Sequence, residues 1–133
     1  MILTRHGQIL ASGSNNEYQL GIGDTRNTTV FVALKDMEHI KLIDVEAGNR
    51  HSAAISNSNE LFMWGSGAFG EFKIPHLVKS IKGPCTKVSL GQDFGAAITQ
   101  KGEIYVWGNS NSGKLGIGDR TTKSIPCKIP YLK

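Results

Sequence analysis

The sequence contains little cysteine and no long apolar segment, and each shortage excludes a class of protein. Two cysteines, Cys85 and Cys127, are too few for the disulfide framework of a small secreted domain, and neither has the CxxC or histidine spacing of a zinc site. No segment approaches the roughly 20 apolar residues of a membrane helix, and the first residues lack the features of a signal peptide. We therefore expect an intracellular protein, cytoplasmic or nuclear, that does not contact a membrane.

The sequence also lacks any cluster of charge or of catalytic side chains. Its formal net charge is +4, but the lysines and arginines are scattered, which does not favour a nucleic-acid partner. No nucleophile with an adjacent base and no paired carboxylates stand out, and His6, His39 and His76 share no metal-ligand spacing. The sequence accordingly predicts no enzyme, no small-molecule substrate, no cofactor and no metal.

Glycine is plentiful where proline is scarce. Of the 133 residues, 16 are glycine and four are proline, and the apolar residues alternate over short runs. Many tight turns between short strands are typical of that balance, so the sequence predicts an all-β protein.

Two internal repeats indicate the architecture. Residues 3–24 align without gaps with residues 98–119, at an offset of 95 residues. Residues 45–65 align in the same way with residues 88–108, at an offset of 43 residues. The difference between these offsets gives a first unit of 52 residues and a second unit of 43. Repeated units of this kind bury their apolar faces against their neighbours.

Each unit contains four short runs that predict four strands. In the last unit these runs are residues 87–90, 96–99, 103–107 and 125–129. The last run contains Pro126, and proline within a sheet suits only an edge strand. A four-stranded sheet with a proline-bearing outer strand is typical of a propeller blade.

The repeated units contain four motifs, namely G-x-I/L-x-x-W-G at residues 102–108, L-G-x-G-D at residues 20–24 and 115–119, P-x-x-I at residues 126–129 and V-x-x-G-x-x-H-S-A-A-I at residues 45–55. In combination they resemble the regulator of chromosome condensation repeat family, and the resemblance covers nearly the whole chain. It implies a seven-bladed β-propeller type, of which this single repeat domain supplies just under three four-stranded blades. The predicted limits are 1–38 for an incomplete first blade, 39–82 for the second and 83–133 for the third. An incomplete ring implies either a fragment of a longer propeller or a homo-oligomer.

The first and middle units depart from the motif pattern. Residues 65–75 lack the L-G-x-G-D segment, so the loop that follows Trp64 is about nine residues shorter than its counterpart in the first unit. In the first unit Ser12 stands where Trp64 and Trp107 stand in the other two, which removes a large packing group from that blade.

Residues that recur at equivalent places in the units are predicted to be structural. The glycines suggest positive backbone angles or close strand approach, and the tryptophans are predicted to fill the wedge between neighbouring blades. Asp24 and Asp119 are predicted to bond the backbone of their own turns. The predicted structural residues are Gly13, Gly21, Gly48, Gly65, Gly91, Gly108, Gly116, Trp64 and Trp107.

The loops between first and second strands are the candidate binding site, because propeller loops gather at one face around the axis. The family's exchange factor for the Ran GTPase uses that face, which implies a partner-binding role for the matching residues here. Those residues are Asn49, Arg50, His51, Gln92, Asp93 and Phe94. Two alternatives stay open. His51, which aligns with Phe94, is a structural histidine in one, and in the other the loops bond only their own turns.

The predicted function is that of a non-enzymatic module for protein–protein interaction, a propeller scaffold that binds a protein partner. One alternative is guanine-nucleotide exchange on a Ran-like small GTPase, but nothing in the chain resembles the extra hairpin that the family's exchange factor uses. A second alternative is a chromatin-associated regulator that binds through the net positive charge.

Overall fold

The computed structural model describes residues 1–23, 25–34, 37–67, 70–108 and 123–129. Within those ranges the chain forms eleven β-strands and no α-helix. The strands in chain order are β1 (Ile2–Leu3), β2 (Ile9–Gly13), β3 (Thr28–Ala33), β4 (Leu42–Ala47), β5 (His51–Ser56), β6 (Leu61–Gly67), β7 (Gly70–Leu77), β8 (Cys85–Leu90), β9 (Phe94–Thr99), β10 (Ile104–Gly108) and β11 (Lys123–Lys128).

The strands form three antiparallel sheets, each built from consecutive strands of the chain. Strands β1 to β3 make a three-stranded sheet, β4 to β7 a four-stranded sheet and β8 to β11 another four-stranded sheet. We refer to these sheets as the first, second and third blades. The prediction of an all-β chain with just under three four-stranded blades is confirmed, and the three blades do not close into a ring.

The second and third blades pair their strands in the same register. Ser52 of β5 lies opposite Trp64 of β6, and Gly95 of β9 lies opposite Trp107 of β10. These four residues are also equivalent by the 43-residue offset of the sequence repeat. Differences between the two blades at these positions therefore reflect side chains and loops and not strand pairing.

The outer strands differ from the inner ones in burial. All six residues of β5 are buried, whereas β7 and β11 are largely exposed or half-buried. Pro75 lies in β7 and Pro126 in β11, and each of these strands pairs with a single neighbour. Proline has no amide hydrogen for a second partner, so the edge position predicted for Pro126 agrees with its chemistry.

Two apolar clusters fill the spaces between the blades. We call the space between the first and second blades the first junction, and the space between the second and third blades the second junction. The first junction is filled mainly by Ile9, Ala11, Leu20, Leu34, Met37, Leu42, Ala54, Phe62 and Trp64. The second junction is filled mainly by Ala53, Ile55, Leu61, Met63, Cys85, Val88, Ala97, Tyr105 and Trp107. Each junction contains one tryptophan that is 0% exposed, Trp64 in the first and Trp107 in the second.

A glycine lies at or near the end of the third strand in the second and third blades, where the chain passes close to the second strand. Gly65 and Gly108 have φ angles of +96° and +106°, a region that other residues rarely adopt. A Cβ atom at Gly65 would lie 2.7 Å from the His51 Cα, and one at Gly108 would lie 2.5 Å from the Phe94 Cα. Both the backbone angle and the lack of space therefore favour glycine at these two positions.

The remaining residues predicted to be structural fall into two groups. Gly13 and Gly21 also have positive φ angles, whereas Gly48 and Gly91 lie in the turns described below. Gly116, together with Asp24 and Asp119, lies outside the described residues.

Candidate partner-binding site

The turns that precede β5 and β9 have the same construction. In the second blade the Gly48 amide donates to the His51 carbonyl at 2.8 Å, and in the third blade the Gly91 amide donates to the Phe94 carbonyl at 2.7 Å. The rings of His51 and Phe94 fold back over these glycines, since a Cβ atom would lie 2.8 Å from the first ring and 2.5 Å from the second. The absence of a side chain at both glycines makes this closed turn possible.

The two turns meet across the second junction. The Arg50 guanidinium and the Asp93 carboxylate form an ion pair, with 3.4 Å between Nη2 and Oδ1. Their side chains are 51% and 33% exposed, so a partner protein has access to both charges. An exposed pair of this kind stabilises a fold by only about 0.2–1 kcal/mol, and either charge can exchange partners at small cost.

His51 lies beneath the ion pair and is only 2% exposed. Burial lowers the pKa of its imidazole below the ordinary value of 6.5, while the Asp93 carboxylate and a hydrogen bond with the Phe94 backbone partly oppose that shift. The ring is therefore neutral at pH 7. Such burial fits the alternative reading of His51 as a structural histidine, because the ring supports the turn and presents no surface to a partner.

The other predicted residues are more accessible than His51. Exposed side chains belong to Asn49, Arg50 and Gln92, and half-buried ones to Asp93 and Phe94. Phe94 packs on a small apolar cluster formed by Val106 and Ile129. The structure thus brings all six predicted residues to one end of the second junction, five of them with accessible surface.

A loop of the first blade reaches the same end of the molecule, and no sequence pattern predicted this contact. The carbonyl of Gln19 accepts hydrogen bonds from Ser52 Oγ at 2.7 Å and from Trp64 Nε1 at 2.9 Å. The Gln19 side-chain amide donates to the Asn49 carbonyl at 3.5 Å. The main acceptor is a backbone carbonyl, which every residue has, so the identity of the residue at position 19 does not predict this contact.

Asn15 shapes this loop from within and is a second residue that the sequence did not single out. Its side chain is fully buried, accepts a hydrogen bond from the Leu20 amide at 3.0 Å and donates one to the Arg26 carbonyl at 3.0 Å. Buried asparagine with backbone partners on both sides fixes the path of a loop. The loop is thus held in the position from which Gln19 contacts the second blade.

The arrangement is suited to recognition by hydrogen bonds and charge. It offers one guanidinium, one carboxylate, two side-chain amides and a half-buried aromatic ring on two short turns. Over the part of the chain that the structure describes, no three histidine, cysteine or acidic side chains are placed to hold a metal ion. No helix within the same residues is long and apolar enough to cross a membrane.

Comparison with known protein families gives a match over more than half of the chain. The family described as "Regulator of chromosome condensation (RCC1) repeat" matches residues 6–55 and 101–133. A second family with the same description matches residues 42–71 and 85–114.

Several curated proteins are similar in sequence. The ultraviolet-B receptor UVR8 of Arabidopsis thaliana is 30% identical over 141 aligned residues, which cover 99% of this chain and 32% of the receptor. The X-linked retinitis pigmentosa GTPase regulator of Homo sapiens is 35% identical over 69% of this chain and 9% of its own length. The secretion-regulating guanine nucleotide exchange factor of Bos taurus is 36% identical over 50% of this chain and 14% of its own length. The chain thus spans about a third or less of the length of these relatives.

Solved structures share the fold over nearly all of the chain. Human WBSCR16 superimposes with a TM-score of 0.86 and 24% identity, covering 96% of this chain and 34% of that protein. Prp20p of Saccharomyces cerevisiae, whose structure was described together with its binding to Gsp1p and histones, gives a TM-score of 0.86 at 20% identity. It covers 96% of this chain and 35% of Prp20p.

Proposed function

The chain belongs to the regulator of chromosome condensation repeat family, and from that premise we propose that it is a non-enzymatic module that binds a partner protein. The proposed contact surface consists of the two turns at one end of the second junction. Its contact residues are Asn49, Arg50, Gln92, Asp93 and Phe94, with His51 as the buried support beneath them.

The single observation that carries this proposal is the contact between Arg50 and Asp93. These residues belong to equivalent turns of two blades, and the blades are held together by a buried core that includes Trp107. The turns therefore keep a fixed spacing while their charges remain accessible, which limits the conformational entropy lost on binding. Loops on a rigid scaffold are the usual carriers of recognition.

Site-specific photo-crosslinking tests the location of the surface. A photoreactive amino acid replaces Gln92, and the protein is irradiated in an extract of the source cells. We expect one dominant covalent product, whose partner is identified by mass spectrometry and then bound again as a purified protein. The matched control places the same amino acid at Ser58, an exposed residue in the hairpin between β5 and β6 at the other end of the blades.

Equal products from Gln92 and Ser58, or a product from Ser58 alone, would contradict the proposal. With the purified partner, charge-reversal variants test whether Arg50 and Asp93 themselves contact it. We expect Arg50→Asp and Asp93→Arg each to weaken binding about tenfold, because loss of a charge-assisted hydrogen bond has roughly that effect. Unchanged affinity in both variants would exclude the ion pair from the contact surface.

Guanine-nucleotide exchange on a Ran-like small GTPase is the second candidate function. It is favoured by the similarity to a secretion-regulating guanine nucleotide exchange factor and by the shared fold with Prp20p, which binds Gsp1p. The test is the release of a fluorescent GDP analogue from a purified Ran-type GTPase with and without the protein. Faster release that Asp93→Arg abolishes would support exchange activity, whereas binding without faster release would leave only the interaction module.

A further inference from the structure

A cavity of about 590 Å³ lies at the opposite end of the second junction from the proposed partner-binding surface. It opens beside the hairpin that ends β9, whereas the proposed surface includes the turn that begins β9. We call it the lysine cavity. Its lining includes Lys82, Thr99, Lys101, Glu103, Tyr105 and Lys128.

Two buried hydroxyl groups line the lysine cavity. Tyr105 is 6% exposed and Thr99 is 3% exposed. The Tyr105 hydroxyl oxygen accepts a hydrogen bond from the Lys82 amide at 3.4 Å, and the Thr99 hydroxyl oxygen accepts one from the Glu103 amide at 3.2 Å. A hydroxyl that already accepts a backbone hydrogen bond retains its own proton for donation. Both groups are therefore placed to act as donors to a bound ligand.

The charges around the cavity also favour an acceptor-rich, negatively charged ligand. The lining contains three lysines and one acidic residue, Glu103. Glu103 is in direct contact with Lys128, and this contact lowers the pKa of the carboxyl group and raises the pKa of the ammonium group. The pair is thus fully charged and mutually compensated at pH 7. Lys82 and Lys101 remain as exposed cations at the mouth of the cavity.

The second blade keeps the equivalent of the Thr99 hydroxyl, since Ser56 Oγ accepts a hydrogen bond from the Glu60 amide, but it lacks the phenol and one of the lysines. By the 43-residue offset, Phe62 corresponds to Tyr105 and Ser58 to Lys101. The adjacent cavity at that blade has a volume of about 380 Å³ and is lined by one acidic residue, Glu60, and one lysine, Lys79. The phenol and the additional cation are therefore specific to the third blade and are not part of the repeated framework.

We propose that the lysine cavity binds a phosphate group, either as free phosphate or as a phosphate monoester on a partner side chain. A phosphate offers several acceptor oxygens and up to two negative charges at neutral pH. Lys82 and Lys101 supply the positive charge, and the hydroxyls of Tyr105 and Thr99 supply directed hydrogen bonds. The cavity has room for more than the phosphate itself, since its volume lies in the range of ligand pockets.

Titration of the full chain tests this site with two probes. Inorganic phosphate is the first, and a short peptide with one phosphoserine is the second, with the unphosphorylated peptide as its control. Isothermal titration calorimetry gives the affinity, and NMR amide shifts locate the site. We expect saturable binding of at least one probe, with the largest shifts at residues 80–84 and 99–105. Tighter binding of the phosphopeptide indicates a modified partner, and tighter binding of inorganic phosphate indicates a free anion.

Two variants exchange third-blade residues for their second-blade counterparts, and a third serves as control. We expect Tyr105→Phe and Lys101→Ser each to weaken the bound probe about tenfold, because each removes a donor to a charged group. Lys73→Ser removes an exposed lysine from the outer strand of the second blade and should leave affinity unchanged. Thermal unfolding by circular dichroism verifies that all three variants are folded. No saturable binding of either probe, or equal affinity in all variants, would overturn the proposal.

Discussion

The two junctions contain equivalent tryptophans in different surroundings. In the first junction, the Trp64 indole N–H donates to the Gln19 carbonyl at 2.9 Å, and Ser52 Oγ donates to the same carbonyl at 2.7 Å. In the second junction Trp107 is equally buried, but its indole nitrogen has no hydrogen-bond partner in the described structure. A single backbone carbonyl therefore distinguishes the two sites.

Trp64 has a hydrogen-bond acceptor and Trp107 lacks one among the described residues because the loops of the preceding blades differ in length. In the first blade residues 14–27 join β2 to β3, and this loop carries the Gln19 carbonyl to the second blade. In the second blade only residues 68–69 separate β6 from β7. The serine is absent as well, since Gly95 stands where Ser52 stands in the other junction. Loss of the loop and loss of the serine thus occur at the same junction.

Gly95 also explains where the Trp107 ring lies. A Cβ atom at Gly95 would be 2.5 Å from Cε2 and 2.8 Å from Nε1 of Trp107, so the ring packs directly on the glycine backbone. A buried donor without a partner costs about 1–3 kcal/mol. The repeat thus tolerates this cost where tight apolar packing replaces the hydrogen bond.

The largest expected effect comes from a side chain added beneath the Trp107 ring. Gly95→Ala should lower the free energy of unfolding by about 3 kcal/mol, because overpacking of a core that cannot relax has this magnitude. The control is Ser52→Ala in the first junction, where the Cβ already exists and only one hydrogen bond is lost, for about 1 kcal/mol. Urea unfolding followed by tryptophan fluorescence measures both values. A Gly95→Ala protein as stable as Ser52→Ala would show that the ring does not depend on the glycine.

Replacing each tryptophan by phenylalanine should give the next largest difference in stability between the two junctions. Trp64→Phe loses the bond to the Gln19 carbonyl, whereas Trp107→Phe removes a donor that has no partner in the described structure. Both variants lose the same side-chain volume, so the difference between their losses of stability reports the contribution of the indole N–H group. We expect Trp64→Phe to be the more destabilising by about 2 kcal/mol in the same urea experiment. Equal losses would mean that Trp107 Nε1 finds a partner in solution.

Much of the fold could be predicted because the signals are local and repeated. Short alternating runs such as residues 103–107 specify strands without reference to the rest of the chain, and the offset of 43 residues implies that equivalent strands lie in neighbouring blades. The meeting of Arg50 and Asp93 follows the same logic, since they differ by that offset. The proposed blade limits remain predictions.

The site was less predictable because its decisive groups are backbone atoms and burial. The Gln19 carbonyl belongs to a residue whose counterpart in the repeat is Lys114, so no residue type marks it. The burial of His51 depends on how its ring folds over Gly48. Its alignment with Phe94 does not tell whether the side chain is buried or faces a partner. Nor did the sequence show that Tyr105 and Thr99 share a cavity. Such features arise from tertiary packing and have no periodic signal.

The turn of the second blade contains a titratable histidine where the third blade has Phe94, so it should add a smaller, pH-dependent contribution to stability. His51 has a pKa lowered mainly by burial, so the unfolded chain binds its proton first as the pH falls below the ordinary value of 6.5. The stabilising contribution of neutral His51 is fully present above pH 6.5 and is lost progressively as the pH falls through the folded-state pKa. His51→Phe, which copies Phe94 of the third blade, should therefore reduce the loss of stability between pH 7 and pH 5. Thermal unfolding across that range provides the measurement.

His76 is the control for that pH effect. Burial also lowers the pKa of His76, and its hydrogen bond with the Met63 carbonyl partly opposes the shift. The His51→Phe protein should therefore retain a residual loss of stability with the same sign. If His51→Phe and the parent protein lost stability identically on acidification, His51 would be protonated equally in the folded and unfolded states.

The smallest expected effect is that of the ion pair between the two turns. A double-mutant cycle with Arg50→Ala and Asp93→Ala should give a coupling of about 0.5 kcal/mol in the free energy of unfolding, since both side chains are partly exposed to screening water. High salt should reduce that coupling further. A coupling above about 2 kcal/mol would mean that the pair holds the blades together. A small value would instead leave both charges free to serve recognition, because a partner could displace the pair with little loss of stability.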